Sequence, residues 1–155
     1  MRITIVAVGK LKERFWRDAV AEYVKRLGAY ANVRVVEITD RDPAKCGGDE
    51  KAREQEAADI LKAIGESYVI LLAIDGCERS SEDFSKHLNQ LMVGGTSDIA
   101  FVIGGSTGVA PSVRVRANEL LSFGPITLPH NLARVVLAEQ IYRAFKIMRG
   151  EPYHK

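Results

Sequence analysis

The chain has 155 residues and is 46% hydrophobic, 27% charged and 7% aromatic, which suits one globular domain, residues 1–155, with apolar material for a single core. No run of about 18 apolar residues exists, which argues against a membrane span. Cys46 and Cys77 stand far apart with no ligand-spaced partner, so neither a metal site nor a disulfide framework is expected, and they read as reduced thiols of a cytoplasmic protein. Net charge is only +2, yet Lys10 to Arg34 carries +4, Glu37 to Asp83 −7 and Arg134 to Lys155 +3. Basic ends around an acidic middle suit either solvated helix faces or a footprint for a polyanion.

Ile3 to Val8 is rich in β-branched residues and closes at Gly9, so the chain opens on a strand and not on a signal peptide. Phe15, Ala19, Val20, Tyr23, Val24 and Leu27 recur at helical spacing, with Gly28 as the stop. Val33 to Ile38 predicts a second strand, and Thr39 to Asp49 a surface loop. Glu50 to Ile64 predicts a polar helix with Ala57, Ile60, Leu61 and Ile64 as its apolar stripe. Tyr68 to Ile74 is almost wholly apolar, as suits a buried parallel strand, and Asp75-Gly76 ends it. Ser80 and Asp83 stand at capping-box spacing at the head of another helix, which runs to Gly94-Gly95. Ile99 to Ile103 is a second buried strand, Pro111 opens a helix, and Ile126 to Leu128 reads as a short last strand. A final helix spans about Leu132 to Met148 and stops at Gly150 and Pro152. Strands alternating with helices imply an α/β domain with a mainly parallel sheet, whose ligands bind beyond the carboxyl ends of the strands.

Four segments carry candidate chemistry. Gly104-Gly105-Ser106-Thr107-Gly108 follows a buried strand at once, and its glycines let backbone approach a ligand closely; it is neither a Walker loop nor a dinucleotide fingerprint. In Leu128-Pro129-His130-Asn131, His130 and Asn131 suit either a helix cap or a ligand contact. Arg134, one turn into a mostly apolar helix, needs a carboxylate, backbone carbonyls or a phosphate. Further along, Glu139, Arg143 and Lys146 share a face, while Leu137, Ile141, Phe145 and Met148 lie on another, a pattern that suggests burial against a second subunit. The terminal Pro152-Tyr153-His154-Lys155 sets an aromatic ring, an imidazole and a cation where chain ends are usually dull.

Taken in order, these segments resemble the ribosomal RNA large subunit methyltransferase H family, of the SPOUT class. The resemblance runs from Ile5-Val6-Ala7-Val8-Gly9-Lys10 to Pro152-Tyr153-His154, through Ile103-Gly104-Gly105, Leu128-Pro129-His130 and Ala138-Glu139-Gln140-Ile141-Tyr142-Arg143-Ala144. It implies an α/β-knot fold, a mainly parallel sheet flanked by helices with a C-terminal trefoil knot, although knots are rare. It implies transfer of methyl from S-adenosylmethionine to the imide nitrogen (nitrogen 3) of pseudouridine 1915, in helix 69 of 23S rRNA on assembled ribosomes. The cofactor loops of the family map to Leu72, to Gly104-Gly105, and to Phe123, Gly124, Pro125, Ile126, Thr127 and Leu128.

Such a reaction needs no metal and no covalent nucleophile, but the imide proton must leave. His154 is the first candidate base and His130 the second. Arg134 or Arg143 would stabilise negative charge on the flanking carbonyls. Arg134, Arg143, Tyr153, His154 and Lys155 are the expected RNA contacts, Tyr153 by stacking, in a cytoplasmic homodimer. Two alternatives stand beside this one: a knotted methyltransferase acting on transfer RNA, and a non-catalytic nucleotide-binding or ribosome-associated module.

Overall fold

A computed structural model describes residues 1–154. Five strands, β1 (Arg2–Val8), β2 (Asn32–Ile38), β3 (Tyr68–Glu78), β4 (Asp98–Ile103) and β5 (Glu119–Ser122), form one sheet in the order β2-β1-β4-β3-β5. Every pairing is parallel. Six helices connect them: α1 (Arg14–Leu27), α2 (Pro43–Cys46), α3 (Asp49–Ile64), α4 (Ser81–Val93), α5 (Pro111–Arg116) and α6 (His130–Met148).

The apolar runs of the central strands divide by side-chain parity, because neighbouring residues of a strand face opposite ways. Ile3, Ile5, Ile99, Phe101 and Ile103 meet Leu27 of α1, Phe84 and Leu88 of α4, and Leu137, Ile141 and Phe145 of α6. Val6, Val8, Val69, Ala100 and Val102 meet Ala57, Ile60 and Ile64 of α3 and Val113 of α5. Both faces of β1 and β4 are thus covered, which is why Ile5 to Val8 and Ile99 to Ile103 carry no polar residue.

Three expectations change. The Thr39 to Asp49 loop holds a one-turn helix, α2, started by Pro43 and capped by the Asp42 side chain, which accepts from the Ala44 backbone N–H at 3.0 Å. Ile126 to Leu128 is not a strand; the last strand is β5, which the sequence reading did not single out. Asp75-Gly76 does not end β3. The register jumps there, so that Leu121 of β5 faces both Leu72 and Cys77, and Ala73 to Gly76 bulge out of the ladder. A Cβ on Gly76 would lie 2.7 Å from the backbone of Leu120 and Leu121, so only glycine admits this approach.

The face of α6 that suggested a second subunit is used within the chain. Leu137, Ile141 and Phe145 are buried against α1, α4 and the sheet. The half-buried outer surface of α6 is carried instead by Val135, Val136, Glu139, Gln140, Arg143 and Ile147.

Candidate active site

The carboxyl ends of β3, β4 and β5 open on one edge of the sheet, and the first turn of α6 closes it. Between them lies a cavity of about 290 Å³. Of the residues expected there, Leu72, Gly104, Gly105, Phe123, Gly124, Ile126, Thr127 and Leu128 line it, as does His130; Pro125 does not and is exposed. Sequence reasoning missed Ala73 and Ile74, which the β3 bulge carries into the wall, and Leu121 and Ser122 of β5. Ile74 and Ile126 are more than half exposed and give the mouth an apolar rim.

The glycine loop is tightly folded. A Cβ on Gly104 would lie 2.9 Å from Val109 Cγ1 and 3.2 Å from the Gly108 carbonyl carbon, and Gly108 adopts φ 80°. Backbone N–H of Gly108 donates to Gly105 O at 3.0 Å, and Arg53 of α3 braces the loop by donating to Thr107 O at 3.1 Å. Such a loop presents backbone, not side chains, to whatever fills the cavity. The apolar walls and this backbone cradle fit a nucleoside-bearing ligand.

Arg134 does not face solvent. Its side chain is 1% exposed and donates to Glu37 Oε2 at 2.8 Å and to Gly9 O at 3.0 Å. Glu37 Oε2 also accepts from the Leu11 backbone N–H at 2.9 Å. The expectation that Arg134 contacts RNA therefore gives way to a carboxylate and a carbonyl, which bind the head of α6 to the ends of β1 and β2.

The tail gathers at the other end of α6. Tyr153 packs edge-on against Tyr142, with ring centroids 4.9 Å apart, and its hydroxyl donates to Glu139 Oε1 at 3.1 Å. The Arg143 guanidinium lies 4.7 Å from the Tyr153 ring centroid and donates from Nε to Glu139 Oε1 at 2.9 Å. Burial, then hydrogen bonding with Tyr23 and the nearby Glu139 charge, pushes the Tyr153 phenol up to about 12. His154 meets Arg143 Nη1 through Nδ1 at 3.1 Å and Glu82 Oε1 of α4 through Nε2 at 2.7 Å. Glu151 accepts from the Tyr30 hydroxyl and Lys146 Nζ, each at 2.6 Å, and these bonds hold its carboxyl below the usual range. The segment from Glu151 to His154 is thus docked on α4 and α6, and Tyr153, expected as a stacking contact to RNA, packs against the edge of the core. Lys155 lies outside the described residues.

The structure separates the expected residues into two groups. His130 lines the cavity, whereas Tyr153 and His154 gather on Arg143, thirteen positions further along the same helix and about 20 Å away at about 1.5 Å per residue. Among the described residues, no group of three or more His, Cys, Asp or Glu could hold a metal ion, and no helix is long and apolar enough to cross a membrane.

A parallel sheet with a cavity at its carboxyl edge defines an α/β protein whose opening lies where ligands of such sheets bind. Residues 1–154 match the family model described as predicted SPOUT methyltransferase. The chain is 51% identical over 159 residues to a ribosomal RNA large subunit methyltransferase H of Listeria monocytogenes (serotype 4a, strain HCC23), with 100% of each chain covered. It is 52% identical over 159 residues to a protein of that name from Lactobacillus acidophilus, again with 100% of each covered. Among solved structures, a probable methyltransferase from Bordetella pertussis Tohama I shares the fold at TM-score 0.60 and 14% identity, covering 92% of this chain and 95% of that one. A probable methylase family protein from Haemophilus influenzae Rd KW20 does so at TM-score 0.57 and 12% identity, covering 99% of this chain and 70% of that one. The chain belongs to the SPOUT methyltransferases, in the ribosomal RNA large subunit methyltransferase H family. It is an enzyme that moves a methyl group from a donor, so the non-catalytic alternative falls.

Proposed function

We propose that this enzyme is a homodimer that methylates large-subunit ribosomal RNA from S-adenosylmethionine, at nitrogen 3 of pseudouridine 1915 in helix 69 of the assembled ribosome. The observation that carries the RNA side of this reading is the tail cluster: an aromatic ring, an imidazole and a guanidinium gathered at the chain end, beside a family resemblance that reaches Pro152-Tyr153-His154. The trefoil knot and the cytoplasmic setting belong to the same reading.

When bound, S-adenosylmethionine supplies an electrophilic methyl, and the cavity residues fit it. Backbone of Gly104 and Gly105 approaches the ligand, while Leu72, Phe123, Ile126, Thr127 and Leu128 exclude water from it. At the tail, Tyr153 offers a ring for stacking, and loss of one such contact is worth about 1–3 kcal/mol. Arg143 stabilises negative charge on a carbonyl beside the acceptor nitrogen, and His154 takes its proton. Holding acceptor and methyl in line removes on the order of 7–11 kcal/mol of barrier at best.

About 20 Å of helix separates the two groups, so one chain does not bring its own tail to its own cavity. That spacing supports a homodimer in which the tail of one copy serves the cavity of the other. The half-buried Val135, Val136 and Ile147 on the outer face of α6 suit such an interface. His130 sits at the cavity and is the second candidate base.

Mass mapping of 23S rRNA from cells lacking the protein tests the substrate: nucleotide 1915 should be unmethylated there and regain the mark with purified enzyme and labelled cofactor. A mark that persists at 1915 and is lost from a transfer RNA would instead favour the transfer RNA alternative.

A further inference from the structure

We propose that Glu82 is a positioning residue for methyl transfer, fixing the tautomer of His154 so that Nδ1 is its proton acceptor beside the Arg143 guanidinium. This rests on the reading of His154 given above.

Both ring nitrogens of His154 are engaged, Nδ1 with Arg143 Nη1 at 3.1 Å and Nε2 with Glu82 Oε1 at 2.7 Å. A guanidinium has only donors, so Nδ1 accepts. The ring proton therefore resides on Nε2, where an ionised carboxylate receives it. Glu82 is held ionised: its carboxyl lies below the usual range through hydrogen bonding from its own backbone N–H and then from His154. Its place in the first turn of α4 favours the anion as well.

The partners are fixed relative to each other by bonds that a solvated charge pair would not need. Ser80 caps α4 by accepting from the Asp83 backbone N–H at 3.1 Å. Ser81 Oγ donates to Gln140 Oε1 at 2.7 Å, Gln140 Nε2 donates to Glu139 Oε2 at 2.6 Å, and Glu139 Oε1 accepts from Arg143 and Tyr153. One network thus runs from Ser81, at the start of α4, to the imidazole.

The arrangement sets an acceptor, Nδ1, next to a donor, the guanidinium. An imide edge carries the complement, an N–H beside a C=O. A substrate imide would take Nδ1 over from Arg143 and leave that guanidinium to its carbonyl. The N–H bond then breaks and the proton passes to Nδ1, giving an imidazolium that Glu82 stabilises through Nε2. The electron pair left on nitrogen forms the bond to the methyl, and the donor sulfur keeps the electrons of the broken C–S bond.

The test uses the full-length protein and purified ribosomes. Imidazole nitrogen shifts, assigned by comparison with His154→Gln, should show Nε2–H and a bare Nδ1 for the neutral ring of His154. Glu82→Ala should mix the tautomers and lower kcat about tenfold, a small part of the roughly 10²–10⁴ that a positioned base contributes. Cofactor Kd, KM for ribosomes and thermal midpoint should hold. Glu82→Gln, whose amide oxygen can still accept from Nε2–H, should recover most of the loss. An Nδ1–H tautomer in the wild-type protein, or an unchanged kcat in folded Glu82→Ala, overturns the proposal. His154→Gln separates the two readings: if it methylates normally, His154 is not the base at all; if it is inactive while Glu82→Ala is fully active, only the role of Glu82 fails.

Discussion

The two ends of α6 solve opposite problems. At its head, the cavity is walled by apolar side chains and glycine backbone, and the nearby charge, Arg134, is sealed behind the wall by Glu37. At its foot, Glu139, Arg143, Lys146, Glu151, Tyr153 and His154 exchange hydrogen bonds at the surface. The head is shaped by backbone that a side chain would spoil; the foot is shaped by side chains that hold one another. Under the function proposed above, the cationic cofactor needs shape, whereas the acceptor that must lose a proton needs placed donors and acceptors.

If the ends serve one reaction from different copies, the strongest test uses two broken chains. His154→Ala and Gly104→Val should each lose methylation, by about 10² or more, the low end for a missing base. Mixed and refolded together, they should recover a substantial fraction of activity through dimers that join one intact cavity to one intact tail. No recovery, or a strict monomer in sedimentation equilibrium, breaks the comparison. Truncation after Pro152 should also stop methylation while cofactor affinity holds. The Tyr153 packing adds a stability loss of about 1 kcal/mol to that truncation.

The head should respond in stability where the foot responds in rate. Arg134→Met removes the partner of Glu37 from a buried pair and should cost about 3 kcal/mol in urea unfolding, toward the low end because Glu37 can rehydrate. Gly104→Ala should weaken cofactor binding about tenfold by calorimetric titration, since the added carbon meets Val109 and Gly108 of the loop itself.

The smallest effect is a pH dependence at the foot. The Tyr153 phenol titrates at about 12 in the fold, above its ordinary value of about 10, so the fold favours the neutral form. Its contribution is full below about pH 10 and is lost as pH rises through about 12. The stability difference between wild type and Tyr153→Phe should therefore shrink over that window; a difference that stays constant would place the phenol in water.

The strands and helices were legible because a sheet covered on both faces writes unbroken apolar runs, as Tyr68 to Leu72 and Ile99 to Ile103 do. The β3 bulge was not. Asp75-Gly76 carries the signature of a turn, and only the approach of Leu120 and Leu121 shows why glycine stands there. The cavity loops were found through the family resemblance more than through glycine spacing, which fits many turns. Arg134 was readable as a charge in need of a partner, but Glu37 lies 97 positions away and no local pattern joins them. The tail was conspicuous in composition, yet its docking on Tyr142, Glu139 and Glu82 is a tertiary fact.

An all-parallel sheet also sets a timetable for the growing chain. β1 lies between β2 and β4, and Arg2 pairs with Asn32 on one side but finds its other neighbour only at Asp98, so β1 waits for a strand made much later. Closing such distant pairs is slow and leaves apolar edges bare meanwhile.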